Sequence, residues 1–449
     1  MFSTLFYKQD LGLNLSLFSL LTILILAANK KEAFYNKTVI VKALAFSITG
    51  MAVFLYKSNL AITANVVSFF ILVGSISEHK ASLYINWLNG CYTTTAAFFH
   101  RLYEQSDKTG NPSRKQRMDY IHRLKVIGIP LVVLIIFIGL YKNGNPMFND
   151  LISKIDFDFI NFQWVLFGLL GYYLFNNISS PIAVNPITTM DLSTENTLLQ
   201  AKEVPVKKLE NEKQLGTILM SLLNVLIAFF LITDIVYVLQ QDVTNANELS
   251  HQVHSGVNAL IASIVFAIVI ILYFFRANLN FYKDNATLKR LTYLWIALNV
   301  FLVVIIAFKN YQYIHSFGIT YKRIGVNIYL LLTSIGLFTT LIKVYSIKNL
   351  WYLLRINMQT AFAVLIVASL FNWDRIITHY NLNYAKATDV EYLINLSDNN
   401  TLLLKSYADG NAFNSEDKNK VNGKYHDYLK ALNANSWQEM QYDNIKIKE

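Results

Sequence analysis

Five polar residues near the ends of long apolar blocks carry the chemistry this chain could do: Asp234, His254, Tyr313, Tyr321 and Arg323. A guanidinium binds phosphate or carboxylate bidentately, and Tyr and His donors beside it would complete an anion site. Asp234 could be the buried partner of a cation, or could simply reach water at the headgroups. For the set as a whole, a structural network joining helix ends is the competing account. His251 and His254 are three residues apart and share a helix face, which could offer two metal ligands. No Glu follows as in a zincin motif, and a third ligand would have to come from Asp234 or His315. Packing of His254 at the mouth of the next apolar block is the simpler account, and neither metal nor cofactor is expected. Arg276 with Asn278 and Asn280 forms a second cluster, suited to contact with anionic lipid.

Motifs that would commit the chain to a reaction are missing. The sequence contains no P-loop, GxSxG, HExxH or dinucleotide glycine fingerprint. The acidic pair of a polyprenyl-phosphate glycosyltransferase is also missing, since Met1–Asp10 offers only Asp10. A single cysteine, Cys91, excludes an intramolecular disulfide or a Cys-based metal site and reads as a small buried residue.

The elements that must position these residues are membrane spans. Of 449 residues 54% are hydrophobic and 15% charged, against roughly 25% charged in soluble domains. Apolar blocks of about 16–22 residues match about 30 Å of hydrocarbon at 1.5 Å per residue. Ten segments qualify: Leu11–Ala28, Val39–Tyr56, Leu60–Ile76, Val126–Tyr141, Phe162–Ile178, Gly216–Val238, Val257–Phe275, Leu291–Phe308, Ile324–Val344 and Ile356–Phe371. Leu83–Phe99 carries Asn86, Asn89, Gly90 and three threonines, and is expected to be interfacial or re-entrant. Leu11–Ala28 is expected to remain as a span, because Met1–Asp10 lacks the basic region and cleavage site of a secretory signal.

The net charge of +10 is the expected by-product of Lys and Arg retained in cytoplasmic loops. Without an aromatic-interleaved basic patch or zinc spacing, it does not indicate nucleic acid. Arg101–Lys125 holds seven basic residues and Gln240–Ser255 none, so the first is expected inside and the second outside. Alternation then places both termini outside, together with Lys142–Asn161 and Lys309–Arg323. Asn29–Thr38, Ser179–Leu215 and Arg276–Arg290 fall inside. Lys309, Lys322 and Arg323 contradict the charge rule, so either that segment is misplaced or these cations have a task. Lys42 and Lys343 are expected to snorkel to the cytoplasmic surface.

Four regions follow: residues 1–178 with about five spans, a cytoplasmic linker 179–215 read as mobile or a short surface helix, residues 216–371 with five more spans, and a polar tail 372–449. In the tail, Val390–Leu404 and Lys424–Tyr442 have helical spacing of Leu, Tyr and Trp. A core of that size is marginal alone and should lean on the membrane part.

The segments His254-Ser255-Gly256, Tyr273 to Asn280, Trp295 with Asn299, Tyr313 to Arg323, and Asp374 with Tyr380-Asn381 resemble an uncharacterised family of polytopic bacterial membrane proteins, a domain of unknown function. They cover about residues 250–397, with a weaker match at Asn145-Pro146-Met147-Phe148. The resemblance implies a bacterial inner membrane protein and brings no activity. The expectation is an all-α polytopic bundle of about ten transmembrane helices with a small helical extracytoplasmic C-terminal domain. Its partners would be membrane lipids and other envelope proteins. Passage or sensing of a small anionic or lipid-linked solute, or scaffolding of an envelope complex, is the favoured role. The alternative is a membrane enzyme acting on a lipid- or sugar-linked phosphate with Arg323, His254 and Asp234 at its site.

Overall fold

The computed structural model describes residues 1–108, 162–200, 204–240, 266–410 and 413–447, with scattered positions at 126–148 and 256–264. The expected span Val126–Tyr141, the segment Lys142–Asn161, most of Arg101–Lys125 and the loop Gln240–Ser255 lie wholly or largely outside these residues. So does the first half of Val257–Phe275, and so do His251 and His254.

Among the described residues the chain is all-α, in the order α1 (Phe2–Phe6), α2 (Leu13–Asn29), α3 (Lys37–Tyr56), α4 (Asn59–Ser77), α5 (Leu83–Lys108), α6 (Phe162–Ile178), α7 (Ile187–Ser193) and α8 (Val206–Gln240). After helical residues 266–274 follow α9 (Ala286–Phe317), α10 (Tyr321–Tyr345), α11 (Leu350–Ser369), α12 (Trp373–Tyr384), α13 (Val390–Ile394), α14 (Thr401–Asp409), α15 (Ser415–Ala434) and α16 (Tyr442–Lys446). Six of these, α3, α4, α8, α9, α10 and α11, are long and apolar enough to cross a bilayer, and α2 is a shorter apolar helix. Helices α2 and α6 have 17 residues each, about 25 Å at 1.5 Å per residue.

Polar side chains set where several of these helices begin. Asn36 accepts a hydrogen bond from the Thr38 N–H at the start of α3, Ser58 from Ala61 for α4, Thr320 from Arg323 for α10, and Asn349 from Tyr352 for α11. Each satisfies an N–H that the helix itself leaves free. Helices α8 and α9 run to 35 and 32 residues, well past the expected Gly216–Val238 and Leu291–Phe308. Hydropathy marks only the part in hydrocarbon, while backbone hydrogen bonding carries a helix on into water.

Apolar side chains point outward from the spans. On α8, Leu222, Val225, Leu226, Phe229 and Ile232 are all more than 60% exposed. Their spacing makes one stripe, and in a helix otherwise packed against α9 such a stripe is stable only in lipid. Helix α5 shows the same inversion. Asn86, Asn89 and Thr93 are buried while Trp87, Leu88, Phe98 and Phe99 are exposed. It packs on the end of α6 and the segment after it: Asn89 accepts from the Val184 N–H at 2.9 Å and Asn177 accepts from the Phe98 N–H at 2.8 Å.

Helix α5 crosses α4 with the two backbones in direct contact. A Cβ on Gly74 would lie 1.8 Å from the Asn86 carbonyl oxygen, and one on Gly90 1.8 Å from that of Phe70. Because a backbone cannot swing aside as a side chain can, Gly90→Ala should destabilise the protein by at least about 1–3 kcal/mol. Gly423→Ala on α15 meets nothing within 4 Å and should stabilise it by about 0.4–1 kcal/mol. Unfolding in mixed micelles checks both signs.

Two apolar clusters fill the membrane part, one from Leu5 to Ile178 and one from Met220 to Val344, and α11 touches helices of both halves. A third cluster, Ile377, Leu393, Leu404, Ala408 and Val421, builds the tail and packs on Ile319 and Ile324 of the membrane part. Neither expected tail helix is continuous. Residues 390–404 are divided between α13 and α14 because Ser397 accepts from the Asn399 N–H and restarts the helix. The 424–442 stretch ends its helix at Ala434.

The linker is docked. Asp191 on α7 is 5% exposed and accepts hydrogen bonds from the Ser82 N–H (2.7 Å), the Tyr84 hydroxyl (3.0 Å) and the Arg355 guanidinium (3.0 Å). Burial alone would push this carboxyl up; the Ser82, Arg355 and Tyr84 donors outweigh it and hold the pKa below its usual value. Residues 179–200 thereby tie α5 of the first half to α11 of the second. Lys343 does not snorkel: it is 1% exposed and donates to the Phe275 carbonyl at 2.8 Å, at the end of a helix whose dipole favours a cation there.

Candidate functional site: the joint between bundle and tail

The residues between α9 and α10 lie against the tail. Gly318 ends α9 with φ of 76°, a conformation that favours glycine. Asn381 on α12 then closes on the next residue, accepting from the Ile319 N–H at 2.5 Å and donating to the Ile319 carbonyl at 2.9 Å. A Cβ on Gly318 would meet the Asn381 Oδ1 at 2.4 Å.

Arg323, 9% exposed, folds back over this turn. Its Nη1 donates to the Phe317 carbonyl at 2.6 Å and to the Gly318 carbonyl, and its guanidinium lies 3.7 Å from the centre of the Tyr313 ring. Its Nε is buried with no hydrogen-bond partner among the described residues. Arg323 therefore clamps the C-terminal carbonyls of α9 and stacks on one of its aromatic rings.

Tyr321 donates to Asp374 Oδ1 at 2.6 Å, and its N–H donates to the Tyr392 hydroxyl at 3.1 Å. Asp374 is 2% exposed, and its other oxygen accepts from the Ser397 hydroxyl. Burial is the main cause that raises the Tyr392 phenol above its ordinary value. In this way α10, α12 and the restart before α14 converge on one carboxylate.

Of the five residues expected to gather, the structure brings Tyr313 and Arg323 into contact and places Tyr321 two positions before Arg323 in the same joint. Asp234 is not the partner of Arg323. It accepts from Lys309 at 2.5 Å, with side-chain exposures of 13% and 7%. Lys309 lies one helical turn before Tyr313 on α9, so that of the three cations that defied the charge rule Lys309 and Arg323 have structural tasks, while Lys322 is exposed. Between the two hubs, Asn310 donates to the Arg323 carbonyl at 3.1 Å and to Asn327 Oδ1 at 2.7 Å. His254 lies outside the described residues.

On the opposite end of the bundle, Arg276 is exposed and donates to the Tyr273 carbonyl at 3.1 Å, its guanidinium 4.1 Å from the Tyr273 ring centre. Asn278 is 5% exposed and so faces protein and not lipid. Lys309, Asp374, Asn381 and the Asp191–Arg355 pair are the working residues that single-residue reasoning did not select. Lys309 left a signal as an unexplained cation, and Asp374 and Asn381 as members of the resembling segment.

Outward apolar stripes, six helices long and apolar enough to cross a bilayer, and buried charges satisfied inside the protein define an integral, polytopic, all-α membrane protein. The chain belongs to the family described as a domain of unknown function (DUF4153), whose model matches residues 4–407. That match takes in both halves of the membrane part and the first part of the tail, up to residue 407, well beyond the segment that carried the resemblance. Comparison with curated proteins and with solved structures finds no match.

Proposed function

We propose that this protein is a scaffold of the bacterial inner membrane: about ten spans hold residues 372–449 as a fixed platform on the extracytoplasmic face, where it assembles with other envelope proteins. The observation that carries this reading is the joint. Tyr321, Asp374 and Asn381 fasten the tail and the α9–α10 turn to each other, Arg323 holds that turn closed, and the tail core takes in Ile319 and Ile324. The N-terminal segment is fastened to the same platform, with the Asn14 N–H donating to the Gln438 carbonyl at 2.8 Å and the Leu13 N–H to that of Met440 at 2.9 Å. A solute pathway or a reaction needs polar groups that remain open to a ligand, whereas these hold two parts of one chain in register.

Two measurements test the reading. In a Cys91→Ser background, cysteines at Lys8 and Asp427 should react with an impermeant thiol reagent in intact cells, and one at Lys31 only after permeabilisation; the reverse pattern would move the platform to the other face. From mild detergent extracts, a second polypeptide should co-purify at fixed stoichiometry with the whole chain and not with an inserted chain ending at Asn372. Equal recovery with both, or none with either, rejects scaffolding.

A further inference from the structure

A cavity of about 340 Å³ opens where the tail meets the end of α3, within the roughly 300–1,000 Å³ range of small-molecule sites. Its depth in the membrane is fixed by two of its walls. Leu55 and Tyr56 are the last residues of the span α3, and Asn372 follows the span α11 by three positions. Both spans leave the hydrocarbon at this level, so the cavity lies at headgroup depth. One wall is apolar, formed by Leu55, Leu402 and Leu403; Tyr56 and Tyr442 add the amphipathic rings that favour a membrane interface.

The polar lining is basic. Arg375, one turn into α12, and Lys446, at the end of α16, both line the cavity and are exposed. Among the described residues neither side chain makes a hydrogen bond or an ion pair, in contrast to Arg323, Lys309 and Arg355, which are all engaged. The one acid in the lining, Asp443, accepts from the Tyr428 hydroxyl at 2.7 Å. Two free cations, one of them able to bind two oxygens of a phosphate at once, sit beside an apolar wall at the depth of the bilayer phosphates.

We propose that this cavity is a phosphate site that takes the headgroup phosphate of a membrane phospholipid, with the acyl chains leaving past Leu55. It stands apart from the scaffolding role and does not require it. The apolar wall is the reason to expect a lipid phosphate over free phosphate, since free phosphate has nothing to place against leucine.

Native mass spectrometry of the whole protein in detergent tests the proposal, with phosphatidylglycerol, the diacylglycerol of the same chains, and inorganic phosphate as probes. Phosphatidylglycerol should form a saturable adduct, and Arg375→Gln with Lys446→Gln should weaken it at least about tenfold. Arg375→Lys should restore part of the affinity, and Lys430→Gln on exposed α15 should leave it unchanged. Equal adducts in wild type and the double variant, or binding of diacylglycerol as strong as that of phosphatidylglycerol, would overturn the site. Displacement of phosphatidylglycerol by millimolar inorganic phosphate would overturn the lipid as its occupant and assign it to free phosphate. All these residues are at the surface, so a monodisperse double variant is expected; Arg375→Gln alone, which should also bind more weakly than wild type, decides the matter if Lys446→Gln perturbs α16.

Discussion

Lys309→Met is expected to lower the stability of the detergent-solubilised protein by about 3–5 kcal/mol, and adding Asp234→Leu should return a large part of that loss. The two side chains are 2.5 Å apart at 7% and 13% exposure, on helices α8 and α9 that pack along their length. Removing the ammonium leaves a carboxylate with no compensating cation in a medium that solvates it poorly, while removing both leaves two apolar groups in an apolar place. The coupling energy from unfolding of the four proteins of the cycle in mixed micelles is the quantity to read. The corresponding cycle between Asp234 and Arg323 should show much smaller coupling, because the two share no hydrogen-bond partner. Equal coupling in both cycles would contradict the separate assignment of the two cations.

Arg323→Ala should be comparably severe, at about 3 kcal/mol or more. It removes charge-assisted hydrogen bonds to the carbonyls of Phe317 and Gly318, each worth about 1.5–3 kcal/mol, and a cation–π contact with Tyr313 worth about 0.5–2 kcal/mol. Arg323→Lys should recover only part of this loss, because an ammonium is a point charge that cannot stack on the ring and reach both carbonyls together. A lysine variant as stable as wild type would show that charge alone holds the turn. The effect should be felt in the tail as well, since the turn that Arg323 clamps is the one that Asn381 grips.

Six of the expected spans, those of α3, α4 and α8 to α11, were legible in the sequence because hydrocarbon imposes a length and a composition on each segment independently of its neighbours. Their ends were less so. The polar first turns of α8, from Val206 to Leu215, and the last turns of α9 are helical without being apolar. Lys309 announced itself as a cation in the wrong place, but its partner could not be read, because pairing Asp234 with Lys309 depends on how α8 packs on α9. Asp191 and Arg355 are 164 residues apart and neither interrupts an apolar block, so nothing in the pattern joins them. Helix α5 is not among the six helices apolar enough to span, in keeping with its polar composition. What composition could not show is direction: Asn86, Asn89 and Thr93 face protein while Trp87, Leu88, Phe98 and Phe99 face outward. The break within 390–404 was missed through Ser397, whose capping role shows only once the chain has turned there.

Bundle and tail, fastened at the α9–α10 turn, should behave as one unit. Hydrogen exchange on the whole protein in detergent decides this, by comparing amides of the tail core, such as those of Leu393 and Leu404, with the amide of Ile319 in wild type and in Arg323→Ala. In wild type these amides should open together with one protection factor, and Arg323→Ala should lower it for all of them by about a hundredfold. Tail amides that exchange at the same rate with and without Arg323 would contradict this, as would a wild-type tail that exchanges as unfolded chain.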